Sequence, residues 1–150
     1  MKTVVDEIYI DAAPAMVYGL VKQTERWPEL LAHYRYVRVI SDDGATKIVE
    51  MSALRGHIPV RWRAEQRDDD LAPTIAFAHT RGWTAGMPVV WRFLPSGSGT
   101  RVTIEHELRF RFPMSLPFVS DRIIGRFFIH HIAQRTLQCM KHELEDARRG

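Results

Sequence analysis

Between Ile10 and Tyr34 an apolar run breaks at Asp11-Ala12-Ala13-Pro14, an amphipathic stretch follows, and the chain turns again through Glu25-Arg26-Trp27-Pro28-Glu29-Leu30-Leu31. The order is a strand running into two short helices. Asp11 is placed to cap a helix that Pro14 opens, because proline loses no hydrogen bond in a first turn and a carboxylate suits the positive helix end. Val17, Leu20 and Val21 then share one face. Trp27-Pro28 predicts an extended residue ahead of the proline, with a large indole at a turn and a second short helix through Leu31. Such an opening suggests a fold that encloses a cavity.

Strand periodicity dominates the middle of the chain. Val102, Ile104, His106, Leu108, Phe110 and Phe112 alternate with Arg101, Thr103, Glu105, Glu107, Arg109 and Arg111, so one face is apolar and the other charged. The same two-residue period recurs at Val49/Met51/Ala53/Arg55, Val60/Trp62/Ala64/Gln66, Ile75/Phe77/His79 and Met87/Val89/Trp91/Phe93. Turn chemistry separates these runs at Asp42-Asp43-Gly44, Arg55-Gly56-His57, Asp68 to Pro73, Gly82 to Gly86 and Pro95 to Thr100. The reading is an antiparallel meander, wet on one side and covered on the other. Pro95-Ser96-Gly97-Ser98-Gly99-Thr100 reads as a hairpin turn rather than a phosphate loop, since no lysine follows and the next segment is a strand.

The cover is the segment from about Leu116 to Arg148, where Ile124, Phe128, Ile132, Ala133, Leu137, Met140 and Leu144 recur at three- and four-residue spacing. The first half of this long helix is apolar nearly all round and its last turns are charged. The fold class is therefore α+β: a curved antiparallel sheet of about seven strands around a long C-terminal helix, with two short helices after the first strand. A chain of 150 residues suits one domain, expected over 1–150.

The formal net charge of +3 comes from interleaved bases and acids without a basic stripe, which argues against a nucleic-acid partner. Charges interrupt the N-terminus before any signal-like apolar run, so the default location is cytoplasmic without stable membrane insertion. Cys139 is the single cysteine, which excludes an internal disulfide and a thiolate cluster. His130-His131 are adjacent on a helix and point apart, and no His-Glu-x-x-His motif exists, so no metal and no cofactor are expected. There is also no Gly-x-Ser-x-Gly turn to support a serine hydrolase. Oligomeric state has no signature here.

With Ile10-Asp11-Ala12-Ala13-Pro14, Val17-Tyr18, Glu25-Arg26-Trp27-Pro28-Glu29-Leu30, Tyr34, Pro59-Val60-Arg61-Trp62, Met87 to Trp91 and Gly99-Thr100-Arg101-Val102, nearly the whole chain resembles the polyketide cyclase/dehydrase family of the START-like (SRPBCC) superfamily. The resemblance implies the helix-grip fold and a cavity for a hydrophobic small molecule. In its aromatase/cyclase members the cavity holds a poly-β-ketone and promotes aldol ring closure and dehydration, with an arginine, a tyrosine and tryptophans orienting the chain. Trp27 and Tyr34 match two such positions. The arginine falls at Arg67 in a gap-free alignment and at Gln66 when Trp62 is kept in register, and alternation makes Gln66 the inward residue. The block from Pro14 to Leu31 also resembles coenzyme Q-binding proteins, which supplies the alternative of a non-catalytic quinone or lipid carrier.

The residues lead to a similar list by their chemistry, since an aldol closure needs a base for an acidic carbon proton and a donor for the developing alkoxide. His79 and His106 are the candidate acid/base groups, on strand faces otherwise apolar, where burial disfavours the charged ring. Each alone is more often a hydrogen-bonded core histidine, and it is two of them on one expected concave surface that bring the functional reading level with that one. Arg55 cannot be a base but can anchor a carbonyl, or else snorkel at the rim. Trp27, Trp62 and Trp91 offer flat walls or plain core packing, as does Phe128 on the helix. Trp83, in the turn Gly82-Trp83-Thr84-Ala85-Gly86, guards a mouth or covers a sheet edge. Phe112-Pro113-Met114-Ser115-Leu116-Pro117-Phe118 is apolar enough for a lid or a membrane-touching loop, or packs against the helix start.

Overall fold

The structure, a computed structural model, describes residues 3–82, 84–108 and 121–149, with their side chains except at positions 55, 121–128, 148 and 149. Seven strands form one antiparallel sheet: β1 (Thr3–Ile10), β2 (Tyr34–Asp42), β3 (Lys47–Arg55), β4 (Ile58–Asp69), β5 (Thr74–Arg81), β6 (Pro88–Ser96) and β7 (Gly99–Glu107). Their order across the sheet is β1-β7-β6-β5-β4-β3-β2, so the meander runs in sequence and β1 closes beside the last strand. Between β1 and β2 lie α1 (Pro14–Val21), a 3-10 turn (Thr24–Arg26) and α2 (Trp27–Leu30), and α3 (Asp121–Arg149) ends the chain.

Alternation places Val49, Met51 and Ala53 of β3, Ala64 and Gln66 of β4, and Ile75 and Phe77 of β5 on one buried face. Val89, Trp91 and Phe93 of β6 and Val102 and Ile104 of β7 continue it. The helix that covers this face buries Ala133, Leu137, Met140 and Leu144, a stripe spaced by four, three and four residues, as its amphipathic pattern requires. The helix-grip expectation is thus met. Positions 109–112 of the expected last strand and 116–120 of the expected helix lie outside the described residues.

Two local expectations are corrected. The N-cap of α1 is Ala13, without a side-chain cap; Asp11 sits too early, and its backbone N–H instead donates to Glu145 Oε2 of α3 at 2.9 Å. Trp27 is helical (φ −54°, ψ −40°) rather than extended, despite the proline that follows. Pro28 occupies the first turn of α2, where its missing N–H costs nothing, and the buried indole donates from Nε1 to the Val21 carbonyl at 2.9 Å. The sequence pattern does not delineate β2: it is a bulged edge strand, with register shifts at Tyr34/Tyr36 and Val39/Ser41 and both Val39 and Ile40 exposed.

The hairpin between β6 and β7 turns through Gly97, whose φ is 56°. Gly99 follows for a different reason: any Cβ there would overlap the Ile10 carbonyl and the Tyr9 ring, so a side chain would push β1 off β7.

Candidate functional site

The inner face of the sheet has two ends. At the end covered by α1 and α2, Trp27 is the hub of an aromatic lattice, with ring centroids 5.2 Å from Tyr34, 5.6 Å from Trp91 and 6.1 Å from Phe77. Trp91 continues it to Phe93 at 6.3 Å. Trp27 is 2% exposed and Trp91 4%, so these indoles are packed against protein on all sides. Gln66 is equally buried and its amide is used up. Its oxygen accepts from the Thr24 hydroxyl at 2.8 Å, and its two N–H donors go to the Lys22 carbonyl at 3.0 Å and Asp68 at 2.9 Å. It stitches β4 to the turn after α1.

Toward the other end, beside the β3–β4 turn and residues 82–87, the same strands carry half-buried groups. The Trp62 ring stacks on His79 at 5.9 Å with an interplanar angle of 9°, and it meets the Tyr34 ring in a T-shaped pair at 6.0 Å. His79 Nδ1 lies 2.5 Å from the Thr84 hydroxyl, which belongs to a turn pinned by Gly86 N–H to the His79 carbonyl at 2.7 Å. Gly82 in that turn has φ 102°, and a Cβ would meet the Arg61 carbonyl at 2.9 Å, so glycine is required for the turn to lie on β4. Burial holds His79 down to a pKa of about 4. His106 on β7 is held down to about 3, by burial first and then by the nearby His79. Both rings are therefore neutral at physiological pH, each with one nitrogen lone pair. The structure brings Trp62, His79 and His106 to one end of the face. Tyr34 borders them, with burial raising its hydroxyl well above the usual phenol range.

Arg67 lies on the opposite, exposed face of β4, apart from this group. Trp83, the side chains of Arg55 and Phe128, and the Phe112 to Phe118 stretch lie outside the described residues. Among the described residues no three His, Cys, Asp or Glu side chains are disposed to hold a metal ion. None of the described helices is long and apolar enough to cross a membrane.

Two polar clusters escaped the sequence reading. His33, 2% exposed, places Nε2 2.9 Å from the Thr136 hydroxyl of α3, and that hydroxyl donates to the Ile132 carbonyl at 2.8 Å. Because the Thr136 proton is already committed, His33 Nε2 is the donor in this pair. The Tyr34 hydroxyl also bonds Thr136. Burial, then Arg135 and His131, lower the His33 pKa to about 4. Nothing in the local sequence marks His33, which sits in a turn. The second cluster is Asp6, 1% exposed, whose Oδ1 meets His130 Nδ1 at 2.5 Å and accepts from Gln134 Nε2 at 3.0 Å. Its signal was present: Val4, Asp6, Ile8 and Ile10 alternate, so a carboxyl group on that apolar face stands out.

Comparison with known proteins agrees with this architecture. Residues 10–141 match the family described as "Polyketide cyclase / dehydrase and lipid transport". The granaticin polyketide synthase bifunctional cyclase/dehydratase of Streptomyces violaceoruber is 28% identical over 103 residues, which is 66% of this chain and 32% of that protein. The chain thus spans about a third of the length of that curated relative. A Thermus thermophilus protein of known structure superposes with a TM-score of 0.86 at 25% identity, covering 97% of this chain and 99% of its own. The Zhui aromatase/cyclase from a Streptomyces species superposes with a TM-score of 0.86 at 13% identity, over 96% and 93% of the two chains, a likeness of fold. A START superfamily protein from Mycobacterium smegmatis shares that fold at a TM-score of 0.77 and 9% identity, over 97% and 98%. By its extended match and its seven-stranded grip on a long C-terminal helix, the chain belongs to the polyketide cyclase/dehydrase and lipid-transport family.

Proposed function

We propose that the end of the inner face lined by Trp62, His79 and His106 binds a hydrophobic, aromatic small molecule, and that the protein promotes aldol cyclisation and dehydration of a poly-β-ketone. The observation that carries this reading is the pair of neutral histidines, His79 and His106, beside the stacked face of Trp62. A carbon flanked by two carbonyls is acidic enough for a positioned imidazole to take its proton, and burial keeps the His79 ring unprotonated and so free to accept one, at the cost of a lower basicity. The enolate carbon then attacks a second carbonyl of the same chain, and the new alkoxide needs a proton donor. Tyr34 supplies it, exchanging its Thr136 partner, because burial keeps its hydroxyl protonated. Dehydration follows when the Tyr34 phenolate left by that transfer removes the next acidic proton and so recovers its hydroxyl, while the imidazolium formed earlier returns its proton to the departing hydroxyl, which leaves as water. Trp62 gives the flat surface on which a nascent ring lies.

A second reading, a non-catalytic carrier of a quinone or lipid, draws support from the lipid-transport half of the family description. A carrier needs the apolar face but no positioned base. Titration of intrinsic tryptophan fluorescence with polyphenolic polyketide analogues, isoprenoid quinones, and fatty acids or sterols separates the two. Saturable preference for polyphenols, with turnover in a polyketide reconstitution that His79→Gln or His106→Gln abolishes, supports the cyclase. Preference for quinones or lipids, with binding indifferent to the histidines, supports the carrier. Saturation by none of the three overturns both.

A further inference from the structure

His106 and Asp6 share an uncommon circumstance. Among the described residues, His106 Nδ1 and Asp6 Oδ2 are both buried side-chain atoms without a hydrogen-bond partner. The two belong to paired strands: Val4 lies opposite His106 and Asp6 opposite Ile104. Since Val4, Asp6, Ile104 and His106 all face inward, Asp6 and His106 are diagonal neighbours, with backbones roughly 7 Å apart. That separation suits two short side chains bridged by one water, and a buried water needs at least two polar partners, which these atoms supply.

We propose, building on the reading of His106 as a base, that Asp6 is its positioning residue. Asp6 Oδ2 accepts through one water from His106 Nδ1–H and thereby fixes the tautomer whose lone pair is on Nε2. The other oxygen of Asp6 is fixed from the opposite side, by His130 and Gln134 of α3, so the carboxyl group has one arm on the helix and one toward β7. Among the described residues, the ionisable groups beside the pair include His79 from β5 and His130 from α3, while β6 presents Val89. When Nε2 takes the substrate proton, the imidazolium shares its Nδ1–H with this carboxylate until the proton leaves again from Nε2 to the departing hydroxyl. His130, with 56% of its side chain exposed, connects the same carboxyl group to solvent.

Asp6→Asn makes a sharp test. The amide oxygen must replace Oδ1, because His130 and Gln134 both donate there, so the NH2 replaces Oδ2 and a donor now faces Nδ1. Side-chain 15N NMR of the full chain reads the tautomer directly, with the His106 signal assigned by its loss in His106→Gln. The expected result is Nδ1–H in the wild type and Nε2–H in Asp6→Asn. Cyclisation in the reconstitution should fall about 100-fold or more at unchanged KM, as when a general base is held in the wrong tautomer. An Nε2–H tautomer in the wild type overturns the proposal without any variant, and so does the same tautomer in both proteins. If the tautomers behave as expected but the wild type turns nothing over, the cyclase reading fails while the Asp6–His106 link stands.

Discussion

The two ends of the inner face use the same residue types in opposite ways. At the α1/α2 end, Trp27, Trp91 and Gln66 are sealed: the Trp27 indole donor goes to Val21 and the Gln66 amide donors are both used. At the other end, Trp62 and His79 are half-buried and His106 keeps a ring nitrogen without a partner among the described residues. Leaving a buried polar atom unmatched costs about 1–3 kcal/mol, and His106 Nδ1 is one of several such atoms among the described residues, with His33 Nδ1, Ser52 Oγ, Arg63 Nε and Asp6 Oδ2, but it is the one that lies beside a stacked Trp–His pair. Aromatic content alone does not mark a ligand site; an aromatic beside underused polar atoms does.

The comparison can be broken most severely at the sealed end. Trp27→Ala removes the hub of the lattice and leaves a cavity that three neighbouring rings cannot fill, with an expected loss of about 3–5 kcal/mol in denaturant unfolding. Survival of wild-type stability would mean that this end is not packed as described. At the Trp62/His79/His106 end, His79→Gln and His106→Gln should each lower cyclisation by about 100-fold or more, which corresponds to about 2.7 kcal/mol of barrier, with tryptophan-detected ligand binding kept.

Acid should reveal the histidines as well. The folded pKa values of His33, His79 and His106 lie at about 4, 4 and 3, below the ordinary value of 6.5, so the unfolded chain binds more protons throughout the interval. Stability is complete above pH 6.5 and is lost as pH falls toward 4, each histidine contributing at most about 1.4 kcal/mol per pH unit. His106→Gln should flatten that slope in unfolding titrations between pH 6.5 and 4, and an unchanged slope would contradict the burial of this ring. The smallest effect belongs outside the sheet. Arg67→Ala, at an exposed position, should change stability by less than about 0.5 kcal/mol and leave ligand titration unaltered.

Much of the fold was legible because period-two strands and a period-3.6 helix encode their buried faces directly. The alternations from Val49 to Ala53 and from Val102 to His106 and the stripe through Ala133, Leu137 and Met140 are clear in the sequence. β2 was not legible, since an edge strand with two bulges and several exposed apolar residues has no clean period. Trp27 defeated the local proline rule because burying an indole outweighs a backbone preference. Alternation separated Gln66 from Arg67, but no sequence pattern reports that Thr24, Lys22 and Asp68 occupy that amide. His33 and Asp6 depend on partners in α3 about a hundred residues or more away, at separations of 103, 124 and 128 positions, which local pattern cannot see.

The central claim, that the Trp62/His79/His106 end of the inner face is where a ligand sits, is tested most directly by histidine side-chain NMR during titration with a polyphenolic polyketide analogue. The account predicts saturable shifts at His79 and His106, with His142, exposed near the far end of α3, unmoved. Saturable binding that leaves both His79 and His106 unshifted, or shifts equal to those at His142, would contradict it.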